Sequence, residues 1–433
     1  MLAGVYIQPA AKVRGTVRVA ADKSISHRAA LLGGMAKGET RISNFLTGQD
    51  CLSTLQCLKT LGVRFEQNGS EIWIQSEGVQ DWQEPEDILQ VGNSGTTMRL
   101  LLGVLAGSPF SATLTGDASI RSRPMRRVTA PLREMGAKIL GRRQGTLAPL
   151  TISGGQLQGR EFTIEVASAQ VKSALILAGL RAKGTTSVTE PAQSRDHTER
   201  MLQEFGVPLE RTDQRVAIQG GAVLHGQNVR VPGDISSAAF FLVLGSLAGA
   251  GEIVLPEVGI NPTRTGVIDA LRQMGADITE SNREEIGNEP RATLTVRPAK
   301  LRGIEIAGEI IPRLIDELPI LAVAGCLAEG ETVIRDAAEL RVKETDRIKT
   351  MTAGLQALGA RIEERPDGVH IWGGPRLTGG QAAAWGDHRL AMAWTVAGLV
   401  SQTGVSLQGL EAAAVSYPDF YRDIQGLVAS DGG

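Results

Sequence analysis

Aromatic side chains make up only 4% of this 433-residue chain. That is too few for the stacking platforms on which single-stranded nucleic acids lie. Charge of one sign is not gathered into blocks either. The net charge is −2 and the only dense basic cluster is Arg121, Arg123, Arg126 and Arg127, so no nucleic-acid partner is expected. Cysteine is scarce: Cys51, Cys57 and Cys326 form no Cys-x-x-Cys pair. An odd, sparse count excludes a disulfide framework and points to a reducing compartment. His27, His197, His225, His370 and His388 form no short-spaced metal motif, so no metal is expected. The uncharged run of residues 235–251 is short for a membrane span and rich in glycine. It reads as a buried helix, and no membrane partner is expected. The N-terminus lacks the apolar stretch of a secretory signal, so the expected location is the cytosol.

What the sequence has is a repeat. A large apolar residue, Gly, then Val or Ala recurs at Leu61-Gly62-Val63, Met135-Gly136-Ala137, Phe205-Gly206-Val207, Met274-Gly275-Ala276 and Leu358-Gly359-Ala360. Each step follows an amphipathic segment and precedes a strand-like run. The glycine fits the position just past a helix, where φ is often positive. The spacing of about 70–85 residues exceeds that of most short-repeat solenoids. A second helix class, apolar nearly all round, is read at residues 26–38, 94–107, 168–179, 236–249, 317–325 and 388–398. Helices of that kind are buried. The pattern predicts six units of strand, buried helix, strands, exposed helix, strand, an α/β architecture.

The halves also match. Val17-Arg-Val-Ala-Ala-Asp-Lys-Ser24 resembles Val229-Arg-Val-Pro-Gly-Asp-Ile-Ser236. Length suggests two or three domains, and this match selects two, each of three units. One is residues 1–20 plus 235–433 and the other residues 21–234. The chain would cross twice, and the cleft between domains is the expected ligand site.

The buried helices begin with small polar residues, as at Asn93-Ser94-Gly95-Thr96, Ser168-Ala169-Gln170 and Asp234-Ile235-Ser236. Such starts present free N–H groups and a positive dipole end, which favour anions. Lys23, Ser24 and Arg28 sit at another start, in Asp22-Lys-Ser-Ile-Ser-His-Arg28, after residues 17–19, which alternate like the end of a strand. Gly95, in Gly92-Asn-Ser-Gly-Thr-Thr-Met-Arg99, permits close backbone approach. The segment is neither a P-loop nor a Rossmann fingerprint. Arg123 can clamp a carboxylate or phosphate. Asp316, opening a buried helix, can act as a general base. In Arg341-Val-Lys-Glu-Thr-Asp-Arg347, Glu344 and Arg347 fall on one helical face, with Lys343 beside them. Asp387 and Arg389 precede the last buried helix. Singly, each motif also reads as a capped helix, a surface ion pair or a basic turn.

In this order, over nearly the whole chain, they resemble the 5-enolpyruvylshikimate-3-phosphate synthase family. The most specific pieces are Asp22 to Arg28, Gly92-Asn-Ser-Gly-Thr, Ile120 to Met125, Arg341 to Arg347 and Asp387-His-Arg389. The resemblance implies the two-domain enolpyruvyl transferase fold, an inside-out α/β barrel with three βαββαβ units per domain. It implies transfer of the enolpyruvyl group of phosphoenolpyruvate to the 5-hydroxyl of shikimate 3-phosphate, with release of phosphate and no cofactor. Carried over by motif, Lys23, Ser24, Arg28, Ser168, Ala169, Gln170, Asp316 and Lys343 hold shikimate 3-phosphate. Lys23, Gly95, Arg123, Gln170, Arg347 and Arg389 hold phosphoenolpyruvate. Lys23, Asp316 and Glu344 are catalytic: Asp316 takes the hydroxyl proton, and Glu344 or Lys23 protonates the methylene carbon. The partners expected are these small anions, and the chain is expected to be a monomer.

Four positions depart from the family. Ala20-Ala21 stands for Pro-Gly, Leu100 for a common Pro, and Val415 for a Lys found in some members before Ser416-Tyr417-Pro418. Gly95 is retained, so glyphosate tolerance through a bulkier residue there is not indicated. Two alternatives stay open. The sister transferase acting on UDP-N-acetylglucosamine typically has Lys-Asn at Lys23-Ser24 and commonly a reactive Cys near residues 121–123. A non-catalytic anion-binding protein on the same fold is the other.

Overall fold

The computed structural model describes residues 4–374 and 376–428. The chain divides into two compact units: residues 1–20, 232–285 and 290–433 form one, and residues 21–231 with 286–289 form the other. The boundary thus falls at 231/232 rather than 234/235. Residues 286–289 join the second unit, where Glu289 bonds His197 Nδ1 at 2.7 Å.

Among the described residues, six buried helices, three per unit, form the interiors: Lys23–Met35, Gly95–Leu105, Ala169–Gly179, Ile235–Leu247, Leu318–Leu327 and His388–Val400. Small, branched and apolar residues on every side let them pack with no wet face. Five start on a side chain that accepts a backbone N–H: Asp22, Ser94, Ser168, Asp234 and Asp387. The sixth, which opens on Leu318, has no side-chain cap; Pro319 in its first turn has no N–H to satisfy. The glycines of the repeat all take positive φ, between 85° and 115° at Gly62, Gly136, Gly206, Gly275 and Gly359. Each ends an exposed helix and releases the chain into a hairpin strand.

Outside the helices, the described residues form six sheets, five of four strands and one of three. In the sheet containing Ser111–Thr115, that strand pairs in parallel with Leu89–Gln90 and antiparallel with Leu147–Ser153, which pairs antiparallel with Lys138–Gly141. The α/β class holds. Within the unit the exposed helix follows one strand, not two, giving βαβαββ. The crossover needed for the parallel pair uses the buried helix, and the two last strands form one hairpin.

Residues 17–19, read as the end of a strand, continue it only by one bond, Val17 N to Val254 O at 2.9 Å; the strand itself is Lys12–Thr16. Neither Ala20 nor Ala21 takes positive φ, so the alanines carry no strain there. Ala20 O accepts Asp234 N at 2.8 Å. Nearby in the same unit, Phe240, Phe241, Tyr417 and Phe420 form a cluster with ring centroids 5.5–6.0 Å apart. Much of the chain's small aromatic content is thus spent packing the C-terminal segment. Leu100 is buried and continues its helix where a Pro would interrupt the hydrogen-bond ladder. Val415 ends a short 3-10 helix and is half-buried. Among the described residues, no helix is long and apolar enough to cross a membrane.

Candidate active site

In the unit of residues 21–231, the first turns of three buried helices carry the predicted anion contacts. Lys23 opens its helix, and its Nζ donates to Asp50 Oδ2 at 3.2 Å. Arg28, one turn later, is 4% exposed. Neutral groups hold it: Nε donates to Thr198 Oγ1 at 2.6 Å, Nη2 to Ser173 Oγ at 2.9 Å and Nη1 to Ser24 O at 3.0 Å. Burial, only partly offset by Glu199, pulls its guanidinium down to about 10, and nearby Arg195 adds to the fall. A folded site that lowers a cation's pKa in this way gains from an anion that restores it. His27 bonds Thr54 Oγ1 through Nδ1 at 2.7 Å, and Thr54 bonds Thr97 Oγ1 at 2.7 Å, tying the Lys23 helix to the Gly95 helix. Burial first, then Lys23 and Arg28, keep His27 well below its ordinary pKa and therefore neutral.

Around Gly95 the cations converge. A Cβ placed there would lie 2.7 Å from Arg99 Nη1 and 3.2 Å from Arg123 Nη1, so only Gly leaves that space open. Arg123 follows the Ala118–Ser122 helix, and its Nη2 donates to Asn93 Oδ1 at 2.8 Å and Ser119 Oγ at 3.2 Å. Gln170 Oε1 accepts from Arg99 Nη1 at 2.6 Å, while its Nε2 donates to Thr96 Oγ1 at 2.9 Å. Ser168 caps the helix that Ala169 opens. Lys23, Ser24 and Arg28 are brought together by one helix; Arg99 joins Gly95 to Gln170, with Arg123 also beside Gly95.

The other unit has a different character. Asp316 lies between the Ile311–Leu314 and Leu318–Leu327 helices. Its Oδ1 accepts from Lys343 Nζ at 3.2 Å and Arg347 Nη1 at 3.3 Å. Arg347 Nη2 donates to Glu344 Oε2 at 2.6 Å, and its Nε donates to Asp387 Oδ2 at 2.8 Å. Glu344 and Arg347 are therefore paired, but not along a helical face: Asp346 caps the helix and Arg347 is its first residue. Nor is this the surface pair that the spacing allowed, since Arg347 is 1% exposed. Burial opposes its charge, yet Asp387, Glu344 and Asp316 together outweigh burial and raise its pKa. Asp387 also caps the last buried helix, accepting Arg389 N at 2.9 Å, which fixes Arg389 at that helix start.

The sequence reading missed three participants. Arg99 stands one turn beyond Gly95 on the same helix face, a spacing that marks it. Arg195 reaches Ser24 Oγ at 3.5 Å; its signal is an Arg just before a helix. Asp387 was visible as a cap, but its bonds to Arg347 span forty residues of sequence and left no local trace.

The sequence model for EPSP synthase (3-phosphoshikimate 1-carboxyvinyltransferase) matches residues 7–424. The chain belongs to the EPSP synthase family. A 3-phosphoshikimate 1-carboxyvinyltransferase of Desulfitobacterium hafniense is 66% identical over 428 residues, 99% of this chain and 98% of the relative. One from Bacillus cereus is 52% identical over 96% of this chain and 97% of its own. A solved EPSP synthase of Acinetobacter baumannii superposes with a TM-score of 0.87 at 43% identity, covering 98% of both chains. The enolpyruvyl transferase NikO of Streptomyces tendae, 20% identical over 97% of this chain and 96% of its own, shares the fold with a TM-score of 0.77.

Proposed function

We propose that this member of the EPSP synthase family transfers the enolpyruvyl group of phosphoenolpyruvate to the 5-hydroxyl of shikimate 3-phosphate, releasing phosphate. The observation that carries this reading is the meeting of two carboxylates, Asp316 and Glu344, on one buried guanidinium, Arg347. Addition needs a base at the hydroxyl and an acid at the methylene carbon; elimination reverses the carbon proton transfer and expels phosphate. Asp316 takes the 5-hydroxyl proton as that oxygen bonds to C2 of phosphoenolpyruvate. Glu344 or Lys23 delivers the proton to C3. The resulting methyl group then returns a proton, the double bond re-forms and the C2–O bond to phosphate breaks. Gly95, Arg123, Arg347 and Arg389, with Lys23 and Gln170, hold phosphoenolpyruvate. Ser24, Arg28, Ser168, Ala169, Lys343 and the Asp316 carboxylate, again with Lys23 and Gln170, hold shikimate 3-phosphate. The two groups of residues serve the same reaction, in a monomer of the cytosol.

The UDP-N-acetylglucosamine reading is not favoured. Its relatives commonly use a reactive Cys, whereas Cys57 and Cys326 are buried with thiols pushed up to about 12 by desolvation. Cys51 is buried as well. Phosphate release from phosphoenolpyruvate should require shikimate 3-phosphate and be absent with UDP-N-acetylglucosamine. Release with the nucleotide sugar alone would reverse the assignment.

A further inference from the structure

Lys172 belongs to no proposed substrate contact, yet it is 3% exposed, two residues beyond Gln170. Its Nζ lies 2.6 Å from Glu190 Oε1 and 2.7 Å from Glu199 Oε1, both residues also 3% exposed. The second oxygen of each carboxylate has no hydrogen-bond partner. Lys172 is therefore the main group holding both acids. Arg28 is a second buried cation nearby, and Glu199 is the acid that most offsets its burial.

Buried ion pairs rarely contribute stability over apolar packing, because desolvating the charges offsets their attraction. What this cluster does is connect. Ser173, next to Lys172, accepts from Arg28 Nη2 and bonds Thr198 Oγ1 at 2.6 Å. Thr198, next to Glu199, accepts from Arg28 Nε. Glu190 Oε1 also accepts Ser194 N at 3.4 Å, and Arg195, the next residue, reaches Ser24 Oγ. The Ala169–Gly179 helix, the loop after Thr185–Thr189 and the start of His197–Glu204 are thus pinned to one ammonium. The helix carries Gln170 and the loop carries Arg195, both donors suited to a phosphate.

We infer that Lys172, through Glu190 and Glu199, is the positioning residue for the shikimate 3-phosphate contacts, fixing Ser168, Gln170, Arg28 and Arg195 in register. The inference rests on the reaction proposed above. Its test compares Michaelis constants for the two substrates. Lys172→Met with Glu190→Gln removes one charge of each sign and leaves Glu199 to balance Arg28. This double variant should raise KM for shikimate 3-phosphate at least about tenfold, with kcat and KM for phosphoenolpyruvate within about threefold of wild type. Lys172→Arg, whose fork spans two carboxylates, should bring the shikimate 3-phosphate KM back to within about threefold of wild type. Should the double variant fail to fold, Glu199→Gln alone is expected to raise the same KM by about threefold or more. A folded variant in which both KM values rise alike, or neither does, overturns the positioning role and leaves the reaction standing. A wild-type protein that does not turn over the two substrates overturns the reaction, and this inference with it.

Discussion

Two sets of charges face different problems in this protein. In the unit of residues 21–231, the guanidiniums of Arg28, Arg99 and Arg123 are held by hydroxyls, amide oxygens and backbone carbonyls. Neutral acceptors orient a cation without cancelling its charge. In the other unit, Lys343 and Arg347 meet Asp316, Glu344 and Asp387 directly, so positive and negative groups are interleaved. The first arrangement suits holding anions. The second sets carboxylates directly against cations, and suits moving protons. Substrate anions arriving at Arg347 must share it with three carboxylates, whereas at Arg123 they meet a preoriented fork.

The sharpest way to break this contrast is at Lys23, the one predicted catalytic group on the binding side. Lys23→Ala should lower turnover by about a thousandfold or more if it moves a proton as well as binding. The protein should still fold, with a lowered melting temperature because Asp50, 11% exposed in its side chain, loses its 3.2 Å partner. Near-normal activity would leave it no role. Asp316→Ala should lower kcat by about a hundredfold or more; a rise in KM alone would make Asp316 a binding residue and blur the division between the units. Gly95→Ala forces Arg99 and Arg123 aside and should raise KM for phosphoenolpyruvate about tenfold, more than that for shikimate 3-phosphate. Equal effects on both would show that the cations there are not specific to one substrate.

The smallest effect concerns pH. His27 has its pKa depressed in the folded protein, so below the ordinary value of 6.5 the unfolded chain takes up a proton that the folded one refuses. Stability is fully present above that value and falls as pH drops below it, by up to about 1.4 kcal/mol per pH unit. His27→Gln, which can still bond Thr54, should flatten the decline between about pH 6.5 and 5 in urea melts. An unchanged slope would place the acid sensitivity elsewhere.

Helix starts and the positive-φ glycines were legible in the sequence because both are local: a cap lies within three residues of the N–H that it satisfies, and Gly62 or Gly359 acts at its own φ. The unit order was less so. A strand as short as Leu89–Gln90 has too few residues to show alternation, so the place of the exposed helix could not be counted out. The pairing of Arg28 with Thr198 joins segments from different repeats, and that of Lys172 with Glu190 joins a helix to the loop beyond the next strand, so only the packed fold brings them together. Lys172 itself lies in an apolar run, where a single Lys gives no sign of its partners.

Glu344→Gln tests the division of labour most directly. The change leaves Arg347 less neutralised while removing an acid. Steady-state kinetics with both substrates should show kcat lowered by about a hundredfold or more, with KM for phosphoenolpyruvate unchanged or lower. A retained kcat with a raised KM for phosphoenolpyruvate would contradict the account, because Glu344 would then be helping to hold the substrate rather than to move its proton.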